Sequence, residues 1–123
     1  MIRCGIDIVE IDRIRNAREH HDLDHRILTP GELEYARNKG SREEFFAGRW
    51  AAKEAVSKAL GCGIGKNCSL LDIEILPDAS GSPQIRLSGA AAESARKLGV
   101  SAWSISITHE KHYAAAMVIA EIV

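Results

Sequence analysis

Phe-Phe-Ala-Gly-Arg-Trp-Ala-Ala-Lys-Glu-Ala-Val-Ser-Lys-Ala-Leu-Gly, residues 45–61, is the stretch whose reading decides the fold. Ser41 followed three residues later by Glu44 forms a capping box, and Gly61 stands where a left-handed C-terminal cap belongs. The spacing therefore predicts a helix with both ends marked. Ala47, Ala51, Ala52, Ala55 and Ala59 are strong helix formers with almost no bulk. A surface helix carries one wide apolar stripe opposite a charged face. Here small residues fall on nearly every face, which predicts a long central helix closely approached by neighbouring backbones.

Lys53, Glu54 and Lys58 stand out against that background. Glu54 and Lys58 are one turn apart and so neighbours on the helix surface, with Trp50 one turn earlier on the same side. The plain reading is a solvated ion pair of small value. The other is half of a phosphate-and-magnesium site, with the carboxylate holding a hard cation and the ammonium neutralising phosphate oxygens. The helix alone leaves both open.

Working outward, 123 residues are expected to form one domain over 1–123, with 46% hydrophobic and 27% charged residues, the make-up of a globular protein. The formal charge of −1 gives no global field for nucleic acid or an anionic membrane. Cys4, Cys62 and Cys68 are odd in number and lack zinc-knuckle spacing, so they read as reduced thiols of a cytoplasmic protein. Asp7 and Glu10 interrupt the apolar start, against a signal peptide, and the apolar run 113–120 is too short to span a bilayer.

At the N-terminus Ile2, Cys4, Ile6 and Ile8 alternate with Arg3, Gly5, Asp7 and Val9, as in a half-buried strand. An acid within such a strand either lies on a wet face or is a carboxylate fixed on a rigid element, as a metal ligand requires. Residues 12–19 read as a helix with Ile11, Ile14 and Ala17 as its apolar points and Arg13, Arg15 and Arg18 outward; Arg26 follows. This local basic patch is either a solvated face or a surface for an acidic protein, since no aromatics are interleaved for base stacking.

Thr29-Pro30-Gly31-Glu32 is a second capping box, opening a helix expected to end near Gly40. Glycines 61, 63 and 65 before Lys66 make either a backbone able to meet a phosphate or a plain linker. Residues 71–76 and 84–87 read as a hairpin, 88–98 as a helix ending at Gly99, and 103–109 with 113–121 as a final hairpin. His109 is in phase with Trp103, Ile105 and Ile107, while Ser104, Ser106 and Thr108 share the other face. Lacking regular strand–helix alternation, the order predicts an α+β fold, a mainly antiparallel sheet with a long central helix.

Three stretches together resemble the holo-acyl-carrier-protein synthases, the small bacterial 4′-phosphopantetheinyl transferases. They are Gly-Ile-Asp-Ile-Val-Glu-Ile-Asp-Arg-Ile at 5–14, the central helix from Phe46 to Gly61, and Ser-Ile-Thr-His at 106–109. The resemblance runs the length of the chain and implies the same fold. It also implies a reaction, the transfer of 4′-phosphopantetheine from coenzyme A to a serine of apo-acyl carrier protein, releasing adenosine 3′,5′-bisphosphate. The reaction needs Mg²⁺ and serves fatty acid biosynthesis. By position, Asp7 and Glu54 match the magnesium ligands and, with Lys58, the catalytic set. Arg49, Lys58, Gly61 and His109 are the expected coenzyme-binding positions, and Arg13, Arg18 and Arg26 the surface for the acidic carrier. The resemblance further implies a homotrimer with sites between subunits, and leaves the serine's base open between Glu54 and a water on the metal.

Overall fold

The computed structural model describes residues 1–38 and 42–123, with Arg42 by its backbone alone. Its elements run β1 (Ile2–Glu10), α1 (Ile11–His20), α2 (Asp24–Ile27), α3 (Pro30–Ala36), α4 (Arg42–Leu60), β2 (Ile73–Pro77), β3 (Pro83–Leu87), α5 (Gly89–Leu98), β4 (Val100–His109) and β5 (Tyr113–Ile122). The strands make two antiparallel sheets rather than one, a three-stranded sheet in the order β1-β5-β4 and the β2–β3 hairpin. The α+β architecture expected from the sequence is the one found.

The central helix is the 19-residue α4. Ala51, Ala52, Ala55 and Ala59 are fully buried along it, and the reason is visible at Gly5 of β1. A Cβ there would lie 2.0 Å from the carbonyl oxygen of Ala55. Strand and helix backbones thus touch, which only small residues on both sides permit. The helix ends at Gly61, whose φ of +83° is the left-handed cap and whose N–H donates to the Ser57 and Lys58 carbonyls. Ser41, and with it the expected N-terminal capping box, lies outside the described residues, whereas the helix expected to end near Gly40 ends earlier, at Ala36, with the Arg37 N–H donating to the Leu33 carbonyl.

Thr29 caps α3 as read, its side chain accepting from the Glu32 N–H while Glu32 accepts from the Thr29 N–H. Ser88 and Gly99 bound α5, Gly99 with φ +81°. The strand expected at 71–76 is later and shorter, because Leu70–Asp72 form a 3₁₀ turn closed by Asp72 accepting from the N–H groups of Ser69 and Ala91.

One open alternative is decided and one expectation is overturned. The face of β1 bearing Arg3, Gly5, Asp7 and Val9 is the one that packs on α4, so Asp7 is not on a wet face. The isoleucine face lies outward instead: Ile2, Ile6 and Ile8 are about two-thirds exposed and join Met117 of β5, the register partner of Ile6. Arg18 is also not outward. It makes two hydrogen bonds to Asp24 and lies 4.8 Å over the Phe46 ring.

A buried ion pair fastens α4 to the elements around it. The Lys53 ammonium donates to Glu32 at 2.6 Å and to the carbonyls of Ile27 and Leu70. The other oxygen of Glu32 accepts from the Ile75 N–H. Both side chains are fully buried, and all three ammonium donors are used. Burial lowers the Lys53 pKa below its ordinary value, only partly opposed by Glu32, and removing either partner would strand a charge in the core.

Candidate active site

Asp7, on the inner face of β1, meets Glu54 and Lys58 across the contact that Gly5 makes possible. Lys58 does not pair with Glu54, its helical neighbour. Its ammonium donates to Asp7 Oδ1 and to the Ile6 carbonyl, each at 2.9 Å, with Asp7 largely sheltered and Lys58 half exposed. Glu54 is left facing the same cleft as Asp7, and its carboxyl is pushed above the ordinary value, chiefly by burial, then by Asp7, against the pull of Lys58. Val9, Ile14, Trp50 and Arg13 are among the other walls of a cleft of about 400 Å³.

Two carboxylates that repel each other in a sheltered cleft suit a divalent cation. Among the described residues no group of three or more His, Cys, Asp or Glu converges. The donor set thus fits magnesium, which commonly takes one or two carboxylates and completes its shell with water and substrate phosphates, better than an all-protein cage.

A second cleft, of about 500 Å³, lies on the other side of α4, lined by Arg49, Phe45, Tyr35, Pro83, Ser106 and His109. Arg49 Nε donates to the Ile75 carbonyl at 3.0 Å, and its guanidinium lies 4.5 Å over the Phe45 ring. Burial lowers its pKa, opposed first by Glu32. His109 ends β4 with Nδ1 3.3 Å from Glu44 of α4. Both clefts lie in the size range of small-molecule sites.

The structure therefore divides the predicted residues. Asp7, Glu54 and Lys58 come together, with Gly61 farther along the same helix; Arg49 and His109 do not join them. Nine residues separate Arg49 from Lys58, which on a helix is about half a turn of rotation. Of the arginines, Arg13 is exposed at the mouth of the first cleft, Arg26 is exposed on α2, Arg15 is spent on Asp12, and Arg18 is spent on Asp24. The sequence reading missed the Glu32 partner of Lys53, which no spacing signals. It also missed Arg3, whose guanidinium lies against Gly61; its alternation with Gly5 and Asp7 was the available signal. Among the described residues no helix is long and apolar enough to cross a membrane.

A model of the 4′-phosphopantetheinyl transferase superfamily matches residues 3–118. The holo-(acyl-carrier-protein) synthase of Shewanella amazonensis is 49% identical over 121 residues, 97% of each chain, and that of Hydrogenovibrio crunogenus 46% identical over 98% of this chain and 97% of its own. Among solved structures, the synthase of Neisseria meningitidis superposes with a TM-score of 0.89 at 37% identity, covering 98% of this chain and 99% of that one. A Bacillus anthracis synthase in complex with CoA (3′,5′-ADP) gives 0.83 at 42% identity, over 98% and 96%.

Proposed function

Because the chain belongs to the 4′-phosphopantetheinyl transferase superfamily, we propose that it transfers the 4′-phosphopantetheine arm of coenzyme A to a serine of apo-acyl carrier protein. Relatives named as holo-(acyl-carrier-protein) synthases match over nearly the whole chain, and the match over 3–118 supports one transferase unit. The reaction releases adenosine 3′,5′-bisphosphate, requires Mg²⁺ and serves fatty acid synthesis in the cytoplasm. The observation that carries the reading is the meeting of Asp7 and Glu54 in one cleft between β1 and α4, with the Lys58 ammonium bonded to Asp7.

In the transfer the serine oxygen bonds to the phosphorus that carries pantetheine, and the bond from that phosphorus to the bridging oxygen breaks. Charge grows on the phosphoryl oxygens and on the leaving phosphate. Asp7 and Glu54 would hold the magnesium ion, which when bound neutralises part of that charge. Lys58, held by Asp7 and the Ile6 carbonyl, keeps one ammonium proton to donate to a phosphate oxygen. Trp50, Val9 and Ile14 give the cleft an apolar wall that shields the arm from water. Arg13 at the mouth, together with Arg26 exposed on α2, forms the surface for an acidic carrier. Arg18, spent within the fold, does not belong to it.

Arg49 and His109 are coenzyme-binding residues of the second cleft. Arg49 lies about half a turn around α4 from Lys58 and His109 lines the same cleft as Arg49, so they complete a site only if a neighbouring copy supplies them. The outward row of Ile2, Ile6, Ile8 and Met117 supports such an assembly, since a contiguous apolar sheet face marks an interface. A homotrimer with a site at each junction uses both clefts of every chain.

Intact-mass measurement of apo-acyl carrier protein incubated with this protein, coenzyme A and Mg²⁺ tests the reading. The expected result is a gain of one phosphopantetheine per carrier; an unmodified carrier would refute it.

A further inference from the structure

We infer that Glu32 is a positioning residue for coenzyme binding, holding the Ile75 backbone so that its carbonyl fixes the Arg49 guanidinium of the second cleft. The inference rests on the reading above in which Arg49 binds coenzyme A.

Strand β2 pairs with β3 alone, so its other edge is open. At Ile75 both backbone groups turn to that edge and are taken by side chains instead of by a strand. The Ile75 N–H donates to Glu32 Oε2 at 2.9 Å, and the Ile75 carbonyl accepts from Arg49 Nε at 3.0 Å. An edge left open in this way otherwise presents unpaired N–H and C=O groups. Here a carboxylate and a guanidinium bracket one fully buried residue.

Glu32 is the fixed end of the bracket. Its Oε1 accepts from the Thr29 N–H and the Lys53 ammonium while Oε2 accepts from Ile75. With donors on both oxygens and no exposure, the carboxylate cannot turn. Arg49 is the adjustable end, a long side chain whose rotamer freedom is costly to remove at the moment of binding. The carbonyl on Nε and the Phe45 ring 4.5 Å from the guanidinium hold it to one aim in advance.

Among the described residues no carboxylate forms an ion pair with Arg49 directly. Glu32 is nevertheless the first charge to oppose the effect of burial on it. Glu32 thus supports Arg49 from behind the strand. A neutral carbonyl on Nε, in place of a carboxylate on the fork, keeps the positive charge for the cleft that Arg49 lines.

Glu32→Gln tests this selectively. An amide has one acceptor oxygen, which Lys53 and Thr29 claim, so its NH₂ faces the Ile75 N–H and the link to β2 is lost. Calorimetry with coenzyme A should show affinity lowered on the order of tenfold. The Arg49 Nε–H resonance of protein carrying nitrogen-labelled arginine should exchange slowly with solvent in the wild type and fast in Glu32→Gln. In an Arg49→Ala background Glu32→Gln should weaken coenzyme A no further, the non-additivity of residues that act as one unit. Arg18→Glu, a destabilising change away from this cleft, should alter neither the affinity nor the resonance. Where Glu32→Gln strands Lys53 and unfolds the chain, Glu32→Leu combined with Lys53→Met leaves no charge in the core and should give the same losses.

Wild-type affinity and a wild-type Arg49 resonance in a folded Glu32 variant would overturn the inference. So would an equal loss of affinity with and without Arg49, an equal loss in Arg18→Glu, or a wild-type Arg49 Nε–H that exchanges as fast as free arginine. A wild type that binds no coenzyme A would instead overturn the reading of the second cleft, and the Arg49 resonance would then decide by itself whether Glu32 positions it.

Discussion

Replacing Gly5 with alanine adds one methyl group at the tightest point of the fold. The new Cβ would lie 2.0 Å from the Ala55 carbonyl oxygen and 2.9 Å from both the Ala55 carbonyl carbon and the Ala59 nitrogen, where ordinary contact begins at 3.4 Å. All three are backbone atoms of a helix, so no rotamer change relieves the clash. Either β1 retreats from α4 by about an ångström or more, or α4 bends. Overpacking a close contact costs about 1–3 kcal/mol and at times more. The backbone nature of this contact puts Gly5→Ala at the upper end. For a chain of this length about 3 kcal/mol lowers Tm by about 10 °C. The same shift carries Asp7, two residues on, away from Lys58, to which it bonds at 2.9 Å. A variant folded at low temperature should therefore still have lost most of its transfer rate, since an ångström of misplacement in a reacting site costs on the order of 100-fold. Thermal unfolding by circular dichroism and carrier modification at 10 °C measure the two effects. A Tm within 2 °C of wild type together with an undiminished rate would refute the claim that this backbone contact positions the site.

Asp7→Ala and Glu54→Ala should each cut transfer by about 100-fold or more while leaving the circular dichroism spectrum native; near wild-type rates at saturating Mg²⁺ would remove that residue from the metal set. Arg13→Glu should raise the Michaelis constant for the carrier and flatten its rise with salt, because rim charges act on association; unchanged values move the docking surface elsewhere. Arg18→Glu should instead destabilise the fold by about 2 kcal/mol in chemical denaturation, because Asp24 loses its partner. Of the thiols, Cys62 is exposed, Cys4 lies on the outward face of β1, and Cys68 is buried with its pKa pushed up, mainly by that burial, to about 12. A thiol raised so far stays protonated at pH 8. A disulfide reagent should find Cys62 at once, Cys4 only when dilution separates the subunits, and Cys68 only on unfolding. Fast labelling of Cys4 at high protein concentration would mean that its sheet face is uncovered.

The elements bounded by local chemistry were legible in the sequence. Gly61 and Gly99 end helices in the left-handed conformation, and Thr29 with Glu32 starts one, because caps depend on residues three or four apart. The sidedness of β1 was not. Alternation gives two faces without saying which is covered, and here the glycine-bearing face is the one that fits α4. Arg18 was misread although its phase was available. It falls four residues after Ile14 and seven after Ile11, on the buried stripe, where Asp24 and Phe46 receive it. Asp7, Glu54 and Lys58 were found through the motifs, but the pairing of Lys58 with Asp7 rather than Glu54 depends on tertiary contact over 51 residues. Glu32 and Lys53 were illegible as a pair for the same reason.

Subunit complementation tests most directly whether the two clefts of different copies form one site. Lys58→Ala and Arg49→Ala remove residues from opposite sides of α4. Each variant alone should be nearly inactive, since every site of the proposed assembly would lack one group. Co-refolded in equal amounts, the two should regain about a quarter of wild-type transfer, because a random mixture gives that share of junctions both an intact Lys58 and an intact Arg49. A mixture no more active than its components would contradict a site assembled between copies and place the reaction within one chain.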